Sequence, residues 1–307
     1  MTLGICSIGT YLPKQKRSNV DAMEKFGFTQ KFLKEKIGFL QLAYKDPSET
    51  TSNLCESAWK DLIQKHPIEV DDVDCLVVCT QNPDGHGLPQ TSSVLHDKLG
   101  LSKRCATFDI ALGCSGYVYS LSIVKSFMEA NGLRKGLLFT ADPYSEILDY
   151  EDKKTATLFA DGATVTLISK DPVYKLGRFT FGSDGSGRNS IIVKDGVLQM
   201  NGRAVFAFSV RVVPESILEM LNVNSCSLDE IDRLIVHQGS RHIVKTIAKR
   251  LEIPSERCPF YAADYGNTIS SSIPLVLADK LDRLDLKKVV ISGFGVGLSW
   301  SSTLLTR

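Results

Sequence analysis

The sequence predicts an α/β chain built as two layered halves, and three observations carry that prediction. Short apolar runs of strand length alternate with segments whose apolar residues recur at helical spacing. The alternation occurs on both sides of Lys170-Asp171-Pro172, a turn-forming break near the middle of the chain. A length of 307 residues with 43% hydrophobic content is enough for a large core. The halves are placed at 1–170 and 171–307. No residue-level repeat relates them, so what they share is βα order.

In the first half, Leu3 to Leu12 reads as an apolar strand ending at Pro13, and amphipathic helices are predicted over Asn19–Phe26 and Thr29–Ile37. Leu54, Ala58 and Leu62 form one stripe of a helix over 51–65. Residues 75–79 make a buried strand. The Gly- and Pro-rich loop 82–89 follows, and His86 and His96 read as surface residues. A short strand is predicted from Arg104 to Ile110. Tyr117, Leu121, Val124 and Met128 then recur at helical spacing up to Asn131-Gly132, a helix stop. A buried strand from Gly136 to Asp142 and the segment Thr155 to Ser169 complete this half. The second half predicts strands near 174–182 and 197–200, a helix from Arg203 to Leu221, and a strand over 234–236. Helices over 241–251 and 270–281 and strands over 288–293 and 299–305 complete it.

Composition excludes several classes of function. A net charge of +1 exerts no general attraction on nucleic acid or anionic membrane. Eight cysteines show no CxxC pair and no zinc spacing, as expected of a protein in reducing cytoplasm. The start, Met1 to Cys6, lacks the basic and apolar stretches of a signal peptide, and no run reaches the roughly 20 apolar residues of a membrane span.

Cys114 lies where a strand gives way to a helix, between Gly113 and Gly116. Small neighbours leave space beside the sulfur, and the positive end of a helix favours a thiolate. Taken alone, the residue fits equally well as a small apolar filler beneath the helix. Val236-His237-Gln238-Gly239 and Asp264-Tyr265-Gly266-Asn267-Thr268 change that balance, because each sets one polar side chain just after a strand or inside a glycine turn. Singly, His237 reads as a buried, satisfied histidine and Asn267 as a turn residue. Together with Cys114 they read as a site assembled from three loops.

These residues stand among ordered motifs: Ile8 to Pro13, Asp109 to Gly116, Phe159 to Ala163, Met200 to Arg203, His237-Gln238, Tyr265 to Thr268, and Gly293 to Trp300. In this set the chain resembles the thiolase-fold condensing enzymes, most closely the β-ketoacyl-acyl-carrier-protein synthase III family. The resemblance implies a layered αβαβα fold of two pseudo-duplicated halves and a homodimer. It implies that Cys114 takes an acyl group from acyl-coenzyme A, with the backbone N–H groups of Cys114 and Val296 holding the oxyanion. His237 and Asn267 would then stabilise the enolate formed as a malonyl thioester on acyl carrier protein loses carbon dioxide. Coenzyme A enters as substrate, and no metal or other cofactor is called for. The resemblance further assigns Phe32, Lys36, Lys153, Gly202, Phe206 and Ser240 to coenzyme A, and Leu88, Phe159 and Phe294 to the acyl pocket. It places the 82–89 loop over the active site and at the dimer contact, and leaves Asp109 and Asp161-Gly162 with structural roles.

Departures from the family pattern bear on the substrate. Phe32 and Lys153 stand where a Trp and an Arg commonly sandwich the adenine, Val296 replaces a glycine, and the segment from Gly187 to Leu198 is shortened. The runner-up reading is a relative that acylates an amine, hydroxyl or non-malonyl acceptor in a surface-saccharide or secondary-metabolite pathway. Papain-like proteases also order Cys, His and Asn, but their signature around the cysteine is missing. A silent acyl-binding protein has no need of all three residues. Hydroxymethylglutaryl-coenzyme A synthases use a glutamate for which the 80–90 loop offers no match. Finally, Arg241, Lys245 and Lys249 align on one helix face, either as a solvated stripe or as a docking surface for an acidic carrier protein.

Overall fold

The structure, a computed structural model, describes residues 3–307; Met1 and Thr2, the start of the segment read above for a leader, lie outside them. Thirteen strands are described: β1 (Leu3–Tyr11), β2 (Gln15–Ser18), β3 (Gln41–Tyr44), β4 (Cys75–Cys79), β5 (Ala106–Ile110), β6 (Lys135–Ala141), β7 (Ala163–Lys170), β8 (Tyr174–Ser183), β9 (Ile191–Lys194), β10 (Val197–Met200), β11 (Arg233–Val236), β12 (Lys288–Gly295) and β13 (Ser299–Thr306). Nine of them hydrogen-bond in the order β11-β12-β13-β8-β1-β7-β6-β4-β5. Every strand on one side of the β1/β8 seam comes from the first 170 residues, and every strand on the other side from the rest. The seam itself is narrow, pairing Gly4 with Lys175 and Ile5 with Tyr174.

Helices fill three layers around these strands. The helix Thr51–Lys65 buries Leu54, Ala58 and Leu62 against one face of the first half, and the helices Gly202–Val223 and Arg241–Arg250 cover the second. Between the halves lie the helices Gly116–Ala130 and Ser272–Ala278, in a cluster fed by strands from both. This is the αβαβα arrangement. Tyr117, Leu121, Val124 and Met128 are fully buried there, each contributing about 1.5–3 kcal/mol. The helix is thereby fixed at the centre of the molecule, and so is Cys114 at its start.

Where the elements differ from expectation, the cause is local geometry or a distant partner. The helix expected over Asn19–Phe26 begins only at Met23, and the one expected over Thr29–Ile37 runs from Gln30 to Phe32 and on as a π-turn over Leu33–Ile37; both stop where expected, at left-handed Gly27 and Gly38. The last expected helix begins at Ser272, since 269–271 form a tight turn with Ile269 at φ 51°. The helix Thr91–Leu99 had no start signal in its own sequence; its first N–H groups, on Thr91 and Ser92, donate to the Asp109 carboxylate at 2.8 Å. Asp109 is thus a structural cap reaching across from β5. Strand β9 has one buried residue in four, too few to show a period.

Candidate active site

Cys114 is 5% exposed and sits two residues before the central helix. Strand β12 passes directly beneath it, and a Cβ on Gly295 would lie 2.8 Å from the sulfur, so only glycine fits. The sulfur accepts hydrogen bonds from the backbone N–H groups of Val296 and of Cys114 itself. Those bonds favour a thiolate, as the helix end does, but burial acts the other way and is larger. The Cys114 thiol is pushed up to about 12, first by desolvation and then by the charge of Asp142. Burial thus outweighs the two backbone bonds, and the resting sulfur holds its proton.

His237 follows β11 and is held there by its N–H, which donates to the Ser292 carbonyl at 2.9 Å. Burial pushes its imidazole down to about 3, so the ring is neutral at physiological pH. Its Nδ1 lies 2.7 Å from Ser272 Oγ, and the ring stands edge-on to Phe294 with centroids 5.6 Å apart. Asn267 is stitched to the first half, its N–H donating to Leu158 and its carbonyl accepting from Ala160. The Asn267 Oδ1 accepts the Ile269 N–H at 3.0 Å, an arrangement that leaves the amide NH2 for the chamber.

Asp142, just beyond β6, anchors this segment from behind. It accepts the Gln81 N–H at 2.7 Å, the Ser270 N–H at 3.1 Å and the Ser270 hydroxyl, and burial pushes its carboxyl up to about 6. Ser271 in turn donates to the Gly162 carbonyl at 3.2 Å. Asp161 also serves structure, accepting the N–H groups of Lys45 and Ser145.

Cys114, His237, Asn267, Phe159 and Phe294 line one chamber of about 700 Å³, a size suited to a substantial ligand. Phe32, Lys36, Gly202, Phe206 and Ser240 line it too, towards solvent. Here Phe206 stacks on His242 at 4.7 Å, and His242 Nε2 lies 3.1 Å from Lys36 Nζ. Lys153 is not on the main chamber. It borders a side cavity of about 240 Å³ with Phe28 and Phe32, and its ammonium stands 6.0 Å over the Phe28 ring, against which Phe32 stacks. The aromatic shelf is a pair of phenylalanines, of which the sequence reading named one.

Val296 lines a second cavity of about 340 Å³, shared with Gln81, Tyr144, Ile147 and Leu198. Ile191, at the start of the shortened segment's hairpin, borders both this cavity and the chamber. Two assignments need correction. Leu88 lines no part of this chain's chamber and is 88% exposed, because the Asp84–Gly87 turn, with Gly85 and His86 left-handed, carries it outward. Arg241 is no free docking cation: it is half-buried, with its guanidinium 4.8 Å over the Phe260 ring. Lys245 and Lys249 remain exposed on that helix. Sequence reasoning missed Asp142, Tyr144, His242 and Ser272. The run Ser270-Ser271-Ser272, beginning three residues after Asn267, was the one available signal.

A buried thiol at a helix start, sharing one chamber with a neutral imidazole and an amide from the other half of a seamed sheet, is the arrangement of a thiolase-fold condensing enzyme. Two family models agree, both described as 3-oxoacyl-[acyl-carrier-protein] synthase III: one matches residues 108–185 and its C-terminal counterpart matches 221–307. A β-ketoacyl-[acyl-carrier-protein] synthase III of Clostridium perfringens is 31% identical, covering 97% of each chain. The solved β-ketoacyl-[acyl-carrier-protein] synthase III of Thermus thermophilus superposes with a TM-score of 0.92 at 30% identity, covering 99% of each chain. Another solved 3-oxoacyl-(acyl-carrier-protein) synthase III reaches 0.94 at 32% identity over the full length of both. The chain belongs to the 3-oxoacyl-acyl-carrier-protein synthase III family.

Proposed function

We propose that the protein condenses an acyl group from acyl-coenzyme A with a malonyl thioester on acyl carrier protein, giving a 3-oxoacyl product. Family membership supports the reaction, and the observation that carries it to particular residues is the shared chamber of Cys114, His237 and Asn267. The Cys114 thiol gives up its proton as the sulfur attacks the thioester carbonyl, and the negative charge gathers on the carbonyl oxygen, where the N–H groups of Cys114 and Val296 meet it. The bond to coenzyme A breaks and coenzyme A leaves with the thiol proton. In the second half-reaction the malonyl carboxylate departs as carbon dioxide, and its bonding pair forms an enolate whose oxygen is held by His237 and Asn267. The enolate carbon attacks the acyl carbonyl, the bond to Cys114 breaks, and the sulfur regains a proton.

The neutral imidazole argues against transfer to an amine or hydroxyl acceptor. Such an acceptor must lose a proton, and an imidazole pushed down to about 3 is a weak base. As a hydrogen-bond donor it suits an enolate. The Phe28–Phe32 shelf with Lys153 suits the adenine of coenzyme A, and the exposed Lys245 and Lys249 suit an acidic carrier protein. A homodimer is supported by exposed apolar side chains, Leu88 above all, that a second copy would cover. Eight free thiols suit a cytoplasmic setting, and among the described residues no helix is long and apolar enough to cross a membrane. The test is to incubate the protein with a panel of acyl-coenzyme A donors, weigh it intact, then add malonyl carrier protein. A mass increment on Cys114 that discharges into a 3-oxoacyl product is expected. Acyl transfer to amines or alcohols, with malonyl thioesters left intact, would overturn the reading.

A further inference from the structure

For the proposed decarboxylation, His237 must present an N–H to the enolate oxygen, yet a neutral imidazole carries one proton and has two nitrogens to hold it. Which nitrogen carries it depends on what faces Nδ1. Ser272 opens the helix Ser272–Ala278, is 0% exposed, and among the described residues its hydroxyl has one partner, His237 Nδ1 at 2.7 Å. A hydroxyl brings a proton of its own. If it accepted an Nδ1–H, that proton would be left in the interior without an acceptor, a costly arrangement. The Ile269 carbonyl, which accepts the Ser272 N–H, also faces the ring and has a second lone pair, but the short contact of the imidazole is with the Ser272 hydroxyl, at 2.7 Å from Nδ1. Donation from the Ser272 hydroxyl to Nδ1 satisfies both groups and leaves the ring proton on Nε2.

We infer that Ser272 is a positioning residue that fixes the tautomer of His237, so that Nε2–H faces the chamber as a dedicated donor. The segment just after Asn267 then orients both enolate donors: the Ile269 N–H holds the Asn267 amide oxygen, and the Ser272 hydroxyl holds the imidazole. With the opposite tautomer, a lone pair on Nε2 would face the growing negative charge and repel it.

The inference rests on the proposed condensation but is read by a separate signal. Nitrogen-15 spectra of the imidazoles, with His237 assigned through His237→Gln, report the tautomer in the resting protein. Wild type is expected to show Nε2–H. In Ser272→Ala the signal should move towards Nδ1–H, malonyl decarboxylation should fall by about tenfold or more, and acylation of Cys114 should stay within about twofold. Ser272→Thr, which keeps the hydroxyl, should restore both the tautomer and the rate. An Nδ1–H signal in wild type would overturn the inference, and that result needs no variant to fold. Unchanged tautomer and rate in Ser272→Ala would overturn it too. If wild type shows Nε2–H but never decarboxylates malonyl thioesters, the tautomer stands and the functional reading falls.

Discussion

The floor of the chamber and its mouth are built on opposite principles. At the floor, polar groups are buried and tied by short-range bonds: Cys114 to backbone N–H groups, His237 to Ser272, Asn267 to Ile269, Asp142 to Ser270 and Gln81. Burial dominates their ionisation, raising Cys114 and Asp142 and lowering His237. At the mouth the groups are exposed or half-exposed, and they meet through stacked rings and loose cations: Phe28 with Phe32, Phe206 with His242, Lys36 beside His242. A floor of this kind tolerates almost no change. The mouth can vary while the chemistry stays the same.

The strongest test of the contrast is at the floor. Cys114→Ala should abolish the acyl adduct altogether on intact mass, although seven other thiols remain. An adduct that persists on another cysteine would break the comparison at its root. One step down, His237→Ala and Asn267→Ala should each retain acylation of Cys114 but lose malonyl decarboxylation by about a hundredfold, the scale of a lost oxyanion donor. Near-normal condensation with failed acylation would reverse the roles.

Asp142 sharpens the comparison through stability. Its carboxyl is raised from 3.8 to about 6, so between those values the folded state holds a proton the unfolded chain has lost. Ionised Asp142 therefore subtracts from stability above that window, by an amount on the order of 3 kcal/mol, and the penalty is relieved as pH falls through it. Asp142→Asn has no such titration, and its NH2 must face a donor, which costs roughly 1–3 kcal/mol. Denaturant unfolding of both proteins should show the advantage of wild type growing as pH falls from about 6.5 to about 4.5. A difference independent of pH would mean that the carboxyl titrates normally and the floor is wetter than the structure shows.

The two regions were also unequally legible in the sequence. Cys114, His237 and Asn267 were readable because strand-to-helix and glycine-turn settings leave local marks, and because several motifs kept family order. The helix Gly116–Ala130 and strands β4, β12 and β13 followed from apolar spacing alone. Asp142 was not legible: at a strand end it looks like any punctuating aspartate, and its partners lie 61 and 128 residues away. Leu88 and Arg241 were misplaced for the same reason, since a residue's position in a motif does not show which way a turn or a helix face points. The raised Cys114 thiol follows from its burial and from the charge of Asp142, neither of which its local sequence shows.

The smallest expected effect lies furthest from the chemistry. With Arg241 packed over Phe260, the exposed cations left on the helix after His237 are Lys245 and Lys249 from the original stripe, with Arg250 beside them. An acidic carrier protein approaching the mouth gains encounter rate from such charges, and the gain is screened by salt over a Debye length of about 8 Å at physiological ionic strength. Lys245→Glu with Lys249→Glu should therefore raise the KM for malonyl carrier protein several-fold, by about 1 kcal/mol of lost encounter energy, while leaving turnover of malonyl-coenzyme A unchanged. The effect should vanish at high salt. Arg241→Ala should do the reverse, lowering stability by about 1 kcal/mol through the lost ring contact with no change in salt dependence. If Arg241→Ala instead weakens carrier binding in a salt-dependent way and the lysine pair does not, the packed arginine is the docking cation after all, and the mouth is more rigid than its exposure implies.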